Sequence, residues 1–324
     1  MLLEQQTGAF RRRWIHLPEW LRVLVVAGAG IVLGIGVTRL LSFIMPLYAA
    51  VANETVCPVA RVWSSARDSE RFSRLRSAAL SKARVLEYEP RLDIERIATS
   101  EREFWVKRFG QGMTGKELIA FILAEHSWKA EKDPRNTIRP GDVVIDCGGH
   151  VGVFTHRALK LGARKVVTVE PEPTNVECLR RNFQPEIAAG RVVVIPKGVW
   201  SFEGNLTMSV STDNSGMNSL GFDEGGQHIG IPVATIDALV DDLRLERVDY
   251  IKMDIEGAER EALAGAQRTL SKFRPRLMLD MYHRPDDLQV LPALIRKAYA
   301  GYTMTCGPCE TKRGKLVPHV AYFE

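Results

Sequence analysis

From residue 143 onward, short apolar and β-branched runs alternate with amphipathic stretches, a succession that predicts strands alternating with helices. Val143 to Cys147 predicts a strand, Val153 to Leu161 a helix, Lys165 to Glu170 a strand, Pro173 to Phe183 a helix and Arg191 to Pro196 a third strand. A Gly-, Ser- and Asn-rich stretch from Ser201 to Gly230 interrupts the pattern, and within it Asn205 to Val210 predicts part of a short hairpin. The alternation then resumes with helix Thr235 to Leu243, strand Val248 to Met253, helix Ala258 to Ser271, strand Arg276 to Met281 and helix Asp287 to Ala298. A terminal pair is expected near Tyr302 to Thr305 and His319 to Phe323. Such alternation implies an α/β class, a doubly wound, Rossmann-like and largely parallel sheet over residues 138–324, with ligands at the carboxyl ends of the strands.

The N-terminal part reads differently. Residues 52–137 are rich in Arg, Glu, Leu and Ala and predict a helical linker or accessory region. Val23 to Val37 has no charged side chain, and the apolar character resumes after Arg39 as far as Val51. Crossing a bilayer takes roughly 20 residues, so residues 23–51 are expected to form a membrane anchor behind a basic segment, residues 1–22. A buried helix of a soluble protein is the alternative. Gly30 and Gly34, four apart, would let two anchors approach closely and form a homo-oligomer. Arg11, Arg12, Arg13 and Arg22 before the span, against Arg39, Arg61 and Arg67 after it, mildly favour a cytoplasmic N-terminus. A cytosolic cofactor would instead put the main domain in the cytoplasm, through the reverse orientation, a hairpin bent near Pro46, or a segment that only lies in the membrane interface.

Composition narrows the classes. With 324 residues, 45% apolar and 26% charged, the chain holds one substantial domain plus an appendage. The net charge of +5 is modest and arginine concentrates before residue 110, so no nucleic-acid partner is expected. Five scattered cysteines are not a disulfide framework and suggest a reducing compartment. Cys306-Gly307-Pro308-Cys309 has the spacing of half a zinc site, yet no second pair completes it. It reads as a turn bearing two reduced thiols, and no metal site is assigned.

The candidate chemistry begins where the first predicted strand ends, in Asp146-Cys147-Gly148-Gly149-His150-Val151-Gly152. A dinucleotide loop would read Gly-x-Gly-x-x-Gly, whereas here an acid precedes the glycines and the spacing is Asp-x-Gly-x-x-x-Gly. A carboxylate at that position repels phosphate and suits a cationic amino-acid moiety. Glu170, ending the next strand, is placed to receive a ribose diol. S-adenosylmethionine carries both groups, which favours a methyltransferase over a nicotinamide-dependent oxidoreductase. Gly148, Gly149 and Gly152 would let the backbone pass close to the cofactor, His150 lies between them, and Gly198 follows the third strand where an adenine contact is expected. Asn175 reads as a helix-start residue. Lys252-Met253-Asp254-Ile255-Glu256-Gly257 ends a central strand, so Asp254 and Glu256 share a side and can act as a base, hold a metal or orient a hydroxyl. His283, ending the next strand, is a second base candidate. Ser215, Asn218 and Ser219 lie in the insertion and could meet a polar acceptor.

The stretch Asp146 to Gly152, Glu170-Pro171, Tyr250 to Glu259 and Tyr282 to Asp287 resembles the FkbM family of S-adenosylmethionine-dependent methyltransferases over roughly residues 138–324. Lys252-x-Asp254-x-Glu256-Gly257-x-Glu259 is the most specific part. The resemblance implies a class I methyltransferase fold and methyl transfer, usually to oxygen, often on a sugar or polyketide. It departs at His150, where the family commonly has Asn. It leads to the expectation of a membrane-anchored O-methyltransferase whose acceptor is a small molecule, a glycan, a lipid-linked sugar or a hydrophobic metabolite. The catalytic residues expected are Lys252, Asp254, Glu256 and His283. A non-catalytic membrane scaffold retaining the fold is the competing reading.

Overall fold

The computed structural model describes residues 59–108, 113–130, 137–210, 227–312 and 315–324. The predicted anchor, the Gly30 and Gly34 pair, the basic segment and Ser215, Asn218 and Ser219 lie outside these described residues. Among the described residues, no helix is long and apolar enough to cross a membrane.

The chain begins with α1 (Val59–Lys82), then β1 (Arg84–Glu89), β2 (Ile94–Ala98) and β3 (Glu103–Lys107), and α2 (Gly115–Ala130). The three strands form an antiparallel sheet in chain order. This corrects the expectation of a helical accessory region. In β3, Phe104 and Val106 are buried and the residues beside them are more open, the two-residue period of a sheet with one covered face, while β2 buries Ile94 and Ile97, three residues apart. The many charged residues in the same stretch masked that period.

The second part runs β4 (Val143–Cys147), α3 (Val153–Lys160), β5 (Lys165–Val169), α4 (Pro173–Asn182), α5 (Gln184–Ala188), β6 (Val192–Ile195) and β7 (Gly198–Val199). It continues through β8 (Gly204–Val210), β9 (Gln227–Ala234), α6 (Ile236–Asp242), β10 (Tyr250–Met253), α7 (Glu259–Ala264), α8 (Gln267–Phe273) and β11 (Arg276–Asp280). It closes with α9 (Asp287–Ala298), β12 (Met304–Cys306), β13 (Cys309–Lys312), β14 (Lys315–Pro318) and β15 (Val320–Phe323). The main sheet has the order β12-β15-β11-β10-β4-β5-β6. Its strands are parallel from β11 across to β6, whereas β15 runs antiparallel to both its neighbours, so the sheet is mixed. β4 leads to β5 on one side and has β10 on the other, which opens a crevice at their carboxyl ends.

Strand alternation splits the core. Ile145, Cys147, Ile251 and Met253 face one layer of helices, while Val144, Val166 and Tyr250 face Phe154 and Ala158 of α3. The helix predicted from Ala258 to Ser271 is two, because the Gly265 carbonyl turns out to accept the Asp237 N–H at 3.0 Å. A third core joins the two parts: Ile94, Ile97, Phe104, Val106, Leu118 and Ile119 pack with Val151, Val153 and Cys178. The accessory region therefore braces the loop after β4 from behind. Cys309 is disulfide-bonded and Cys306 lies buried outside any disulfide, which corrects the reading of this turn as two reduced thiols.

Candidate active site

A cleft with about 550 Å³ of empty space, open solvent included, lies at the carboxyl ends of β4, β5 and β10. Of the sequence candidates, Gly148, His150, Glu170, Gly198, Asp254 and Glu256 line it, joined by the apolar Val169, Val199, Met208 and Ile255 and by Lys197. Asp146, Gly149, Gly152, Lys252 and His283 stand behind this lining.

The loop after β4 is tied to β5 by the Gly148 and Gly149 N–H groups, which both donate to the Val169 carbonyl. Gly148 has φ +77°, and a Cβ there would lie 2.1 Å from the Asp254 carbonyl oxygen. Only glycine fits so close to the start of the next loop. Gly152 has φ +92° and abuts the Phe183 ring, so it serves helix packing rather than a ligand. Gly149 is closed off by Thr168.

Glu170 is held on both oxygens. Oε2 accepts the His150 N–H at 2.8 Å, and Oε1 accepts the Glu172 N–H at 3.0 Å and the Asn175 Nδ2 at 3.3 Å. Asn175 thus supports this carboxylate from the start of α4, where Glu172 forms the N-cap and Pro173 the first residue. Burial pushes the Glu170 carboxyl up to about 7 against those donors. His150 itself sits at φ 48°, a left-handed geometry that Asn and His tolerate better than most residues. Burial, reinforced by Lys252, drops its imidazole to about 4, so the ring facing the cleft is neutral.

Asp146 and Lys252 are reassigned by their positions. Asp146 is fully buried, accepts the Thr155 hydroxyl at 2.8 Å and stands 3.4 Å from Lys252 Nζ, outside the residues that line the cleft. Lys252 donates to the Cys147 and Gly148 carbonyls at 3.2 and 2.8 Å. The two form a buried pair that props the glycine loop from below. Neither reaches reacting atoms.

The polar end of the cleft is Asp254 with Glu256. Asp254 Oδ2 accepts from Lys129 Nζ at 3.2 Å, and the same ammonium meets Asp280 at 2.8 Å and Glu125 at 3.3 Å. Burial pushes the Asp254 carboxyl up, but Lys129, Lys252 and His283 outweigh it and hold it well below the usual range. Lys129 comes from α2 in the accessory region and is completely buried. Sequence reasoning missed it; the signal was the pair Glu125 and Lys129, four residues apart on a helix that carries the apolar run Leu118 to Ala124. Glu256 has φ 51°, and burial chiefly, then Asp254 and Glu259, raise it to about 8. His283 Nδ1 lies 2.9 Å from Glu259 Oε1, and its Nε2 lies 3.4 Å from Glu256 Oε2 and 3.9 Å from Asp254 Oδ1. The bare backbone at Gly148, the clamped Glu170 and the apolar wall suit a nucleoside, and the Asp254 and Glu256 end suits a polar acceptor.

Residues 146–304 match the family described as Methyltransferase FkbM domain. An FkbM methyltransferase domain thus accounts for just under half of the chain, 159 of its 324 residues. Among curated proteins, this chain is similar to Methyltransferase sdnD of Sordaria araneosa, 25% identical with 44% of this chain and 66% of that protein covered. It is also similar to 2-O-methyltransferase NoeI of Sinorhizobium fredii, 26% identical with 42% of this chain and 62% of that protein covered. The chain thus spans less than two thirds of these relatives' own lengths. Among solved structures, methyltransferase FkbM from Methylobacillus flagellatus KT aligns with a TM-score of 0.44 and 19% identity, covering 82% of this chain and 62% of that one. The FkbM match starts at Asp146, so Lys129 and the accessory sheet lie outside it.

Proposed function

We propose that this protein is an S-adenosylmethionine-dependent O-methyltransferase. The observation that carries the reading is the Glu170 carboxylate, fixed by three donors at the lip of a cleft whose floor is bare Gly148 backbone. Glu170 would hold the ribose diol, the bare backbone at Gly148 would border the amino-acid end, and Val199 with Met208 would meet the adenine. When bound, the cofactor supplies a methyl group on a sulfonium, whose transfer to a hydroxyl oxygen leaves a thioether and releases the hydroxyl proton. Asp254 and Glu256 orient the hydroxyl and receive that proton, in a cleft where positioning supplies much of the acceleration. Oxygen as the acceptor draws support from the 2-O-methyltransferase relative.

The acceptor we propose is a glycan, a lipid-linked sugar or a hydrophobic metabolite beside a membrane, a reading that rests on the apolar run at residues 23–51. Supply of the cofactor favours a cytoplasmic domain. The Cys309 disulfide weighs against it, since oxidising compartments keep such bonds. Thiol counting on protein denatured straight from cells decides: a cytoplasmic domain shows all five cysteines reactive, and an oxidised one shows two fewer.

Titration calorimetry with S-adenosylmethionine and with NAD tests the cofactor. Binding of NAD alone by folded protein would overturn the proposal. Incubating labelled cofactor with lipid and soluble fractions then identifies the acceptor.

A further inference from the structure

The residues at the polar end of the cleft do more than crowd carboxylates together. His283 is nine-tenths buried, and its Nε2 has no hydrogen-bond partner among the described residues. That nitrogen is aimed between Asp254 Oδ1 and Glu256 Oε2, at 3.9 and 3.4 Å. The three atoms lie within 4.8 Å of one another. Two ligand atoms, each about 2.1 Å from a shared cation, stand roughly 3.0–3.4 Å apart at octahedral or tetrahedral angles. The observed spacing therefore needs only a small inward movement of Asp254.

The surroundings have the form of a ligand set with its outer supports in place. Glu259 is fully buried and receives the Nδ1 side of His283 at 2.9 Å, while its Oε1 also accepts the Ile255 N–H at 3.0 Å. When a cation displaces the Nε2 proton, the Nδ1 proton stays held by Glu259 and Nε2 becomes the ligand atom, the arrangement by which metal-binding histidines are oriented. Asp254 is split in the same way: Lys129 holds Oδ2 and leaves Oδ1 turned to His283. A neighbouring group, Glu125, Asp280 and His319, has similar spacing, but the Lys129 ammonium already sits 3.3 and 2.8 Å from its two carboxylates and serves as its cation.

We infer that Asp254, Glu256 and His283 form a divalent-cation site at the acceptor end of the cleft, oriented by Glu259 and Lys129. One nitrogen and two carboxylate oxygens suit Mn²⁺, Zn²⁺ or Mg²⁺ with open positions left toward the cleft. Such an ion would hold the acceptor hydroxyl oxygen and make its proton more acidic. That role rests on the methyl-transfer reading; the binding of the ion does not.

The test uses the full chain, stripped with a chelator and desalted, and titrated with MnCl₂ and separately with ZnCl₂, with bound Mn²⁺ read by electron paramagnetic resonance. The expected result is about one ion per chain, weakened at least about 100-fold in His283→Ala and Asp254→Asn and about 10- to 100-fold in Glu259→Gln. Absence of binding by the unaltered chain up to about 1 mM of either ion, or equal binding by the unaltered chain and both ligand variants, overturns the site. Circular dichroism checks the variants' folding, and the unaltered chain alone can refute the site should they unfold. S-adenosylmethionine titrated into the same samples separates the two readings: ion binding without cofactor binding refutes the proposed function and leaves the cation site standing.

Discussion

Glu170 shows how burial and hydrogen bonding compete at one carboxylate. Its three donors favour the anion, yet burial dominates and lifts the group to about 7. A ribose diol donates to the ionised form, so below that value a proton must leave before the diol can bind. Cofactor affinity should therefore rise roughly tenfold between about pH 6 and pH 8 and level off above. In Glu170→Gln the affinity should be lower throughout and the pH slope lost. Calorimetry across that range checks both, and a flat profile in the unaltered protein would remove Glu170 from the ribose site. Lys129 is the opposite case, an ammonium without solvent contact whose three carboxylate partners keep it charged despite burial. Lys129→Met removes the ammonium shared by Glu125, Asp254 and Asp280 and leaves three largely buried carboxyls close together. It should cost about 3–5 kcal/mol of stability, read as a lower urea midpoint; an unchanged midpoint would show that the network carries no net stabilisation.

At the scale of elements, the loop between β4 and α3 is set by what packs around it. Its glycines look like ligand contacts in the sequence, but of the three only Gly148 borders the cleft. Gly152 gives way to Phe183 at the end of α4, where an added Cβ would stand 2.1 Å from the ring. Gly152→Ala combines that clash with a positive φ, and we expect it to lose roughly 1–3 kcal/mol, measured by thermal unfolding, with cofactor affinity in the folded fraction little changed. A large affinity loss at full stability would return Gly152 to the binding surface. The strands of the main sheet were legible because β4, β5, β10 and β11 are buried on both faces and read as short, mainly apolar runs. β1 to β3 were not, since β1 is exposed along nearly its whole length and Glu87, Glu95, Arg96 and Glu103 break up the apolar positions. The cleft-facing acids were legible from their place at strand ends. The roles of Asp146 and Lys252 were not, because the sequence gives the strand end but not which side of the loop a side chain takes.

The whole molecule binds these parts through the third core. Ile97, Phe104 and Val106 of the small sheet and Leu118 and Ile119 of α2 are all within a few percent of complete burial, and they share that burial with Val151 and Val153 of the glycine loop. Asn182 at the end of α4 ties the same parts together, its Oδ1 accepting the Trp105 N–H at 2.6 Å and its Nδ2 donating to the Trp105 and Val151 carbonyls at 3.1 and 2.9 Å. Residues 138–324 alone would expose that apolar face, strand the Asn182 amide and remove Lys129 from between Asp254 and Asp280. Each apolar side chain uncovered forfeits about 1.5–3 kcal/mol, and a domain has only about 5–15 kcal/mol in reserve. A chain cut to residues 138–324 should therefore unfold without cooperativity, bind a hydrophobic dye and fail to bind the cofactor, whereas residues 59–324 should melt in a single transition. Cooperative melting of the shorter chain, with cofactor affinity equal to that of the longer one, would show that the accessory region is an independent appendage and that Lys129 is dispensable to the cleft.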